Sequence, residues 1–157
     1  MEAQADWTNL GSPETYLGYQ QAQNLDSPDG VAYDEPRGYV APESLQLNNW
    51  ALAGNWTIEA RASVLNEAGG RIVFRFHARD VHLVLRSRAG TAVPFRVAVD
   101  GEAPGDSHGL DVDEEGNGTL VQPRLYQLVR EPGEITDRTF EITFLDAGVE
   151  AYVFTFG

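Results

Sequence analysis

From Leu45 to the end of the chain, apolar side chains fall at every second position, and this alternation constrains the fold most. Ile72, Phe74 and Phe76 share one side, with Arg71, Arg75 and His77 on the other. Val81, Leu83 and Leu85 alternate with His82 and Arg86; Phe95, Val97 and Val99 alternate with Arg96. Phe140, Ile142 and Phe144 alternate with Glu141 and Thr143, and Tyr152, Phe154 and Phe156 close the chain in the same way. Trp56 to Val64 reads as one half-buried strand, with its apolar residues on even numbers and a turn following at Glu67-Ala68-Gly69-Gly70. A period of two marks a strand with one buried face. Such strands recur roughly every 8–12 residues with no long helical pattern between them, which favours antiparallel sheets over a parallel α/β fold. The expected fold is an all-β antiparallel sandwich of jelly-roll type, with about eight strands and inward aromatics worth about 1.5–3 kcal/mol each when fully buried.

The first third is different. Residues 1–11 read as a linker and 12–157 as a single β-sandwich domain. Ser12-Pro13-Glu14-Thr15 offers an N-cap, a proline at the first helical position and an acid in the first turn, which predicts a short helix or turn to about Gln23. Gly18 opposes the helix by about 1 kcal/mol. Asp26-Ser27-Pro28-Asp29-Gly30 and Asp34-Glu35-Pro36-Arg37-Gly38 are turn signals, so 24–44 reads as irregular chain with a short strand around Tyr39.

Composition excludes whole classes of chemistry. All 11 basic residues are Arg, which removes lysine Schiff bases and the phosphate-binding lysine of a P-loop. Without cysteine there is no internal disulfide, thiolate zinc site, iron–sulfur cluster or redox CxxC pair. The formal charge of −13 argues against nucleic acid and anionic membranes as partners. No run approaches the roughly 18 apolar residues of a membrane span, and Met1 to Trp7 does not read as a signal peptide.

Pro104 to Gly118 is the most unusual segment, long for a hairpin, and long loops on rigid scaffolds often carry function. Asp111, Asp113 and Glu115 occupy alternate positions before Gly116, as in the first half of a calcium loop. The second half fails, because Gln122 stands where the bidentate glutamate belongs. Calcium is therefore the one cation the spacing invites, set against a solvated acidic turn; no cofactor is expected. Gly105-Asp106-Ser107-His108-Gly109 matches a nucleophile elbow, but no helix can follow it and no histidine lies downstream. His77 and His82 fall on the polar sides of their strands and read as surface residues. The 24 acids offer too many pairs for any one to be chosen as a glycosidase couple. Asn55-Trp56-Thr57 and Asn117-Gly118-Thr119 match the glycosylation pattern and read as chance. Tyr16, Tyr19, Tyr33, Tyr39, Trp50 and Tyr126 lie in loops or off the clear core face, where flat rings stack on sugars or anchor proteins.

Five stretches carry a family resemblance: SPETYLGYQQAQN (12–24), LNNWALAGNWT (47–57), HGLDVDEEGNG (108–118), RLYQLVR (124–130) and RTFEITFLDAGVEAYVFTFG (138–157). Together they resemble the C-terminal domain of DipZ-type proteins over about residues 12–157. The resemblance implies a β-sandwich similar to carbohydrate-binding modules, located outside the bacterial cytoplasm beside a thioredoxin-like domain that holds the redox cysteines. It therefore implies a non-catalytic accessory module of an envelope thiol-redox protein. Its partners would be the thioredoxin-like domain, in cis or in trans, and a glycan or polypeptide. Tyr16, Tyr19, His108, Asp111, Asp113 and Tyr126 are the candidate ligand-binding residues, with Tyr126 as an aromatic plane beside Asp111 and Asp113. The other readings are a packing domain with no small ligand and an enzyme in its own right.

Overall fold

The computed structural model describes residues 5–157, so the first four residues of the expected linker lie outside the described residues. The chain forms β1 (Thr15–Tyr16), β2 (Arg37–Tyr39), β3 (Trp50–Ile58), β4 (Ser63–Leu65), β5 (Arg71–Phe76) and β6 (Asp80–Ser87). They are followed by β7 (Val93–Val99), β8 (Asn117–Leu120), β9 (Arg124–Arg130), β10 (Arg138–Phe144) and β11 (Val149–Phe156). Every strand pair is antiparallel. The order β8-β7-β10-β5-β3 makes one sheet and β3-β4-β11-β6-β9 the other, with β2 added to β3 and β1 to β11.

Strand β3 belongs to both sheets. Trp50–Ala53 pair with β5, and Trp56–Ile58 pair with β4. The corner between them falls at Gly54, whose φ of 101° is open to glycine and costly for other residues. A β-carbon there would lie 2.9 Å from the Gly70 Cα of the next hairpin, so the close approach needs glycine as well.

The alternating apolar faces read from the sequence form the core. Ile72, Phe74, Leu83, Leu85, Phe140, Ile142 and Phe144 are fully buried between the sheets. The rings meet mostly edge to face, Phe140 on Phe154 at 5.7 Å and Trp56 on Phe144 at 6.2 Å, the arrangement their quadrupoles favour.

Three local expectations are corrected. No helix forms over 12–23: Ser12–Gln23 holds β1 and the Gly18–Gln21 turn. The amides a helix would use internally donate outward instead, Leu17 N–H to Tyr152 O, Tyr19 N–H to Glu59 O and Gln20 N–H to Ala60 O. The single strand expected over Trp56–Val64 is a hairpin, reversed at 59–62 by Glu59 N–H bonding Ala62 O at 2.8 Å. Finally, Tyr152 leaves the inward face of β11. A bulge between Ala151 and Val153 in the pairing with β6 shifts the phase, so Ala151 and Phe154 are both buried while Tyr152 is only half-buried.

Candidate functional site

The long loop is built into the scaffold. Gly109 and Asp111 donate their N–H groups to Leu128 O and Gln127 O, and His108 bridges Val129, so the loop lies along the outer edge of β9. Gly105 N–H bonds Glu114 O and Val97 N–H bonds Gly116 O, closing the loop on itself and on β7. Ser107, buried at its base, donates its hydroxyl to Glu131 at 2.7 Å. His108 is half-buried with Nδ1 2.9 Å from its neighbour's carbonyl, Gly109 O. Ser107 and His108 therefore do not form a nucleophile and its base.

Asp111 takes both guanidinium nitrogens of Arg124, at 2.7 and 3.0 Å, and the Gln127 N–H at 2.7 Å. Burial alone would raise its pKa; Arg124 and the Gln127 amide more than reverse this and hold the carboxyl below its ordinary range. Asp113 folds back to accept the Glu115 and Asn117 N–H groups, an Asx turn, and Glu115 is exposed. Among the described residues no three His, Asp or Glu side chains come together as a metal-holding group. The Asp111 and Asp113 oxygens expected to converge on calcium are thus directed to Arg124 and to backbone amides.

The aromatics divide differently from the sequence expectation. Tyr39, Trp50 and Tyr126 are core residues at 5, 0 and 1% exposure. Tyr126 lies edge to face with Phe95, donates to Gln122 O at 2.7 Å, and carries the Arg124 guanidinium 3.9 Å above its ring. Its plane is therefore closed to a ligand, because Tyr126 and Leu128 take the buried face of β9 beside a bulge that the local pattern does not reveal.

Tyr16 and Tyr19 stay at the surface. Tyr19 stacks at 4.7 Å on Tyr33, which is 56% exposed, and donates its hydroxyl to Asp34 at 2.7 Å. That hydrogen bond raises the Tyr19 pKa, as the bond to Glu14 raises that of Tyr16. Tyr16 and Tyr152 line an open cleft of about 250 Å³ together with Gly18, Gln20, Gln21, Ala60 and Arg61. A second hollow of about 440 Å³ adjoins it, sharing Tyr16, Gln20 and Gln21 and extending over Glu14, Gln23 and Asn24. The turn that forms the cleft needs Gly18: a β-carbon there would sit 2.2 Å from the Arg61 carbonyl carbon.

The structure brings Tyr16 close to residues the sequence reading did not select: Gln20, Gln21, Arg61 and Tyr152. The four amides within Gln20–Asn24, directly after two tyrosines, were the available signal. Tyr19 lies just outside the cleft, and His108, Asp111 and Asp113 belong to the loop along β9.

The two sheets, shared strand and surface cleft define a β-sandwich domain. The chain belongs to the thioredoxin-like C-terminal domain family, whose model matches residues 12–157, and is a DipZ-type domain of that family. It is 33% identical over 75 residues to "Protein DipZ" of Mycobacterium bovis and of Mycobacterium tuberculosis, a stretch covering 47% of this chain and 10% of each relative. This chain thus matches only about a tenth of those relatives' length. Among solved structures, a family two carbohydrate esterase from Clostridium thermocellum in complex with cellohexaose is 13% identical, with a TM-score of 0.42 over 62% of this chain and 27% of that one. A two-domain esterase active on acetylated mannans is 13% identical, with a TM-score of 0.44 over 99% and 39%. Likeness at these scores says nothing about ligand or reaction. Among the described residues no helix is long and apolar enough to cross a membrane.

Proposed function

We propose that this chain is a non-catalytic accessory module of an extracytoplasmic thiol-redox protein, and that it binds carbohydrate or polypeptide so as to hold a thioredoxin-like domain near its substrates. The observation that carries this reading is the open cleft between Tyr16 and Tyr152. Surface aromatic planes beside amides are binding chemistry, whereas Ser107 and His108, the nearest approach to a catalytic pair, are tied to Glu131 and to a carbonyl. A tether of this kind acts by raising effective concentration and adds no chemistry of its own.

The test is to immobilise the chain and measure retention of envelope glycans and of unfolded polypeptides, with turnover assays on ester and disulfide substrates run in parallel. Retention without turnover is expected; steady hydrolysis or disulfide reduction by the chain alone would overturn the reading. A second reading, a domain that packs on the thioredoxin-like domain without a small ligand, draws on Trp7. That ring is 72% exposed just before Gly11 and Ser12 bond to His77 and Asn48. Burial of Trp7 on adding the thioredoxin-like domain, read by fluorescence, would support it.

A further inference from the structure

Resting on the accessory reading above, we infer that the Tyr16 cleft and its adjoining hollow form one two-compartment site for a linear, neutral oligosaccharide. In this site Tyr16 and Tyr152 present stacking faces, and Gln20, Gln21 and Gln23 recognise hydroxyls. The two compartments meet along Tyr16, Gln20 and Gln21, which line both, so a ligand filling the site is longer than one sugar ring.

Both tyrosine planes are set in advance. The Tyr16 hydroxyl donates to Glu14 at 2.7 Å and the Tyr152 hydroxyl to Glu150 at 3.3 Å. Glu150 is in turn held by Arg88 at 3.3 Å and faces Arg86 at 3.6 Å. Arg88 also binds Glu59, the residue that opens the turn carrying Ala60 and Arg61 into the cleft. With their phenol protons committed, the rings offer faces, and less ordering remains to be done when a ligand arrives.

The amides decide the chemistry of the occupant. The side chains of Gln20, Gln21 and Gln23 have no hydrogen-bond partner among the described residues. Each carries two donors and an acceptor, which suits hydroxyls that also give and accept. An anionic glycan would find one cation, the Arg61 guanidinium, set against those acceptors, Glu14 and a chain of net charge −13. A polypeptide is the poorer match, because peptide grooves rely on an open strand edge or apolar pockets. Here Leu17, Tyr19 and Gln20 have already paired their N–H groups with Tyr152, Glu59 and Ala60, and the aliphatic lining is Pro13 and Ala60.

The test is calorimetric titration of the chain with neutral gluco- and manno-oligosaccharides of increasing length, an oligouronate, and an unstructured peptide of mixed sequence. Affinity is expected to rise from monosaccharide to longer oligomers and then level off. Tyr16→Ala and Gln21→Ala should each weaken it roughly tenfold, while Tyr16→Phe keeps most of it. Gln21 is an exposed turn residue, so Gln21→Ala decides the matter even if Tyr16→Ala fails to fold. Glycan binding unchanged by Gln21→Ala and Tyr16→Phe, and by Tyr16→Ala if it folds, would overturn the assignment to this cleft and leave the accessory reading intact. Preference for the oligouronate or the peptide would overturn the neutral-glycan occupant alone. No binding of any probe at millimolar concentration would overturn both.

Discussion

Asp111 spends its carboxylate on Arg124 and a backbone amide, and two other acids are held in the same way. Glu131 receives the Ser107 hydroxyl, the Gly133 N–H and Arg138; Asp100 receives the Thr139 N–H and Arg138. Burial alone would raise all three pKa values, but these partners leave each below its ordinary value. A folded pKa depressed below the unfolded one stabilises the fold above the unfolded range of about 4, and the contribution is lost as pH falls through the folded value. The melting midpoint should therefore fall as pH drops below about 4, and Asp111→Asn should flatten that slope, both read by calorimetry. A second prediction concerns Gly18. A methyl there meets Arg61 backbone at 2.2 Å, so Gly18→Ala should cost more than about 2 kcal/mol in denaturant unfolding and weaken binding at the cleft. The need for glycine at 18 is invisible in sequence, where the same residue reads only as a poor helix former.

At the scale of elements, β9 would be an open edge of its sheet without the segment 108–111 hydrogen-bonded along it. Unpaired edges recruit other strands, and a covering loop blocks this. Shortening the loop to remove Gly109–Asp111 should therefore produce concentration-dependent self-association, measurable by light scattering; a strictly monomeric variant would refute the edge-cover role. The length of 104–118 was legible in the sequence as unusual, but its purpose was not. A loop that pairs with a strand some 20 residues on looks locally like any acidic, glycine-rich turn. The bulge in β11 has the same character. Tyr152, Phe154 and Phe156 keep a perfect alternation, yet one extra residue opposite β6 turns Tyr152 outward and makes it a wall of the cleft.

For the whole molecule, the −13 charge is spread over a surface whose arginines are largely paired with acids, such as Arg88 with Glu59 and Arg138 with Glu131. Unpaired acids remain in excess and repel one another, so raising salt from low to physiological ionic strength should raise the melting midpoint, because screening relieves that repulsion. A falling midpoint would show that the ion pairs outweigh the net charge. The all-β class, the inward faces of β5, β6, β7 and β10, and the absence of thiol and lysine chemistry follow from the residues alone, because side-chain parity and side-chain chemistry are local properties. Which tyrosines remain at the surface, where Trp56–Val64 reverses, and which amides stand beside Tyr16 were decided only when distant segments met, since burial and register depend on partners far away in the chain.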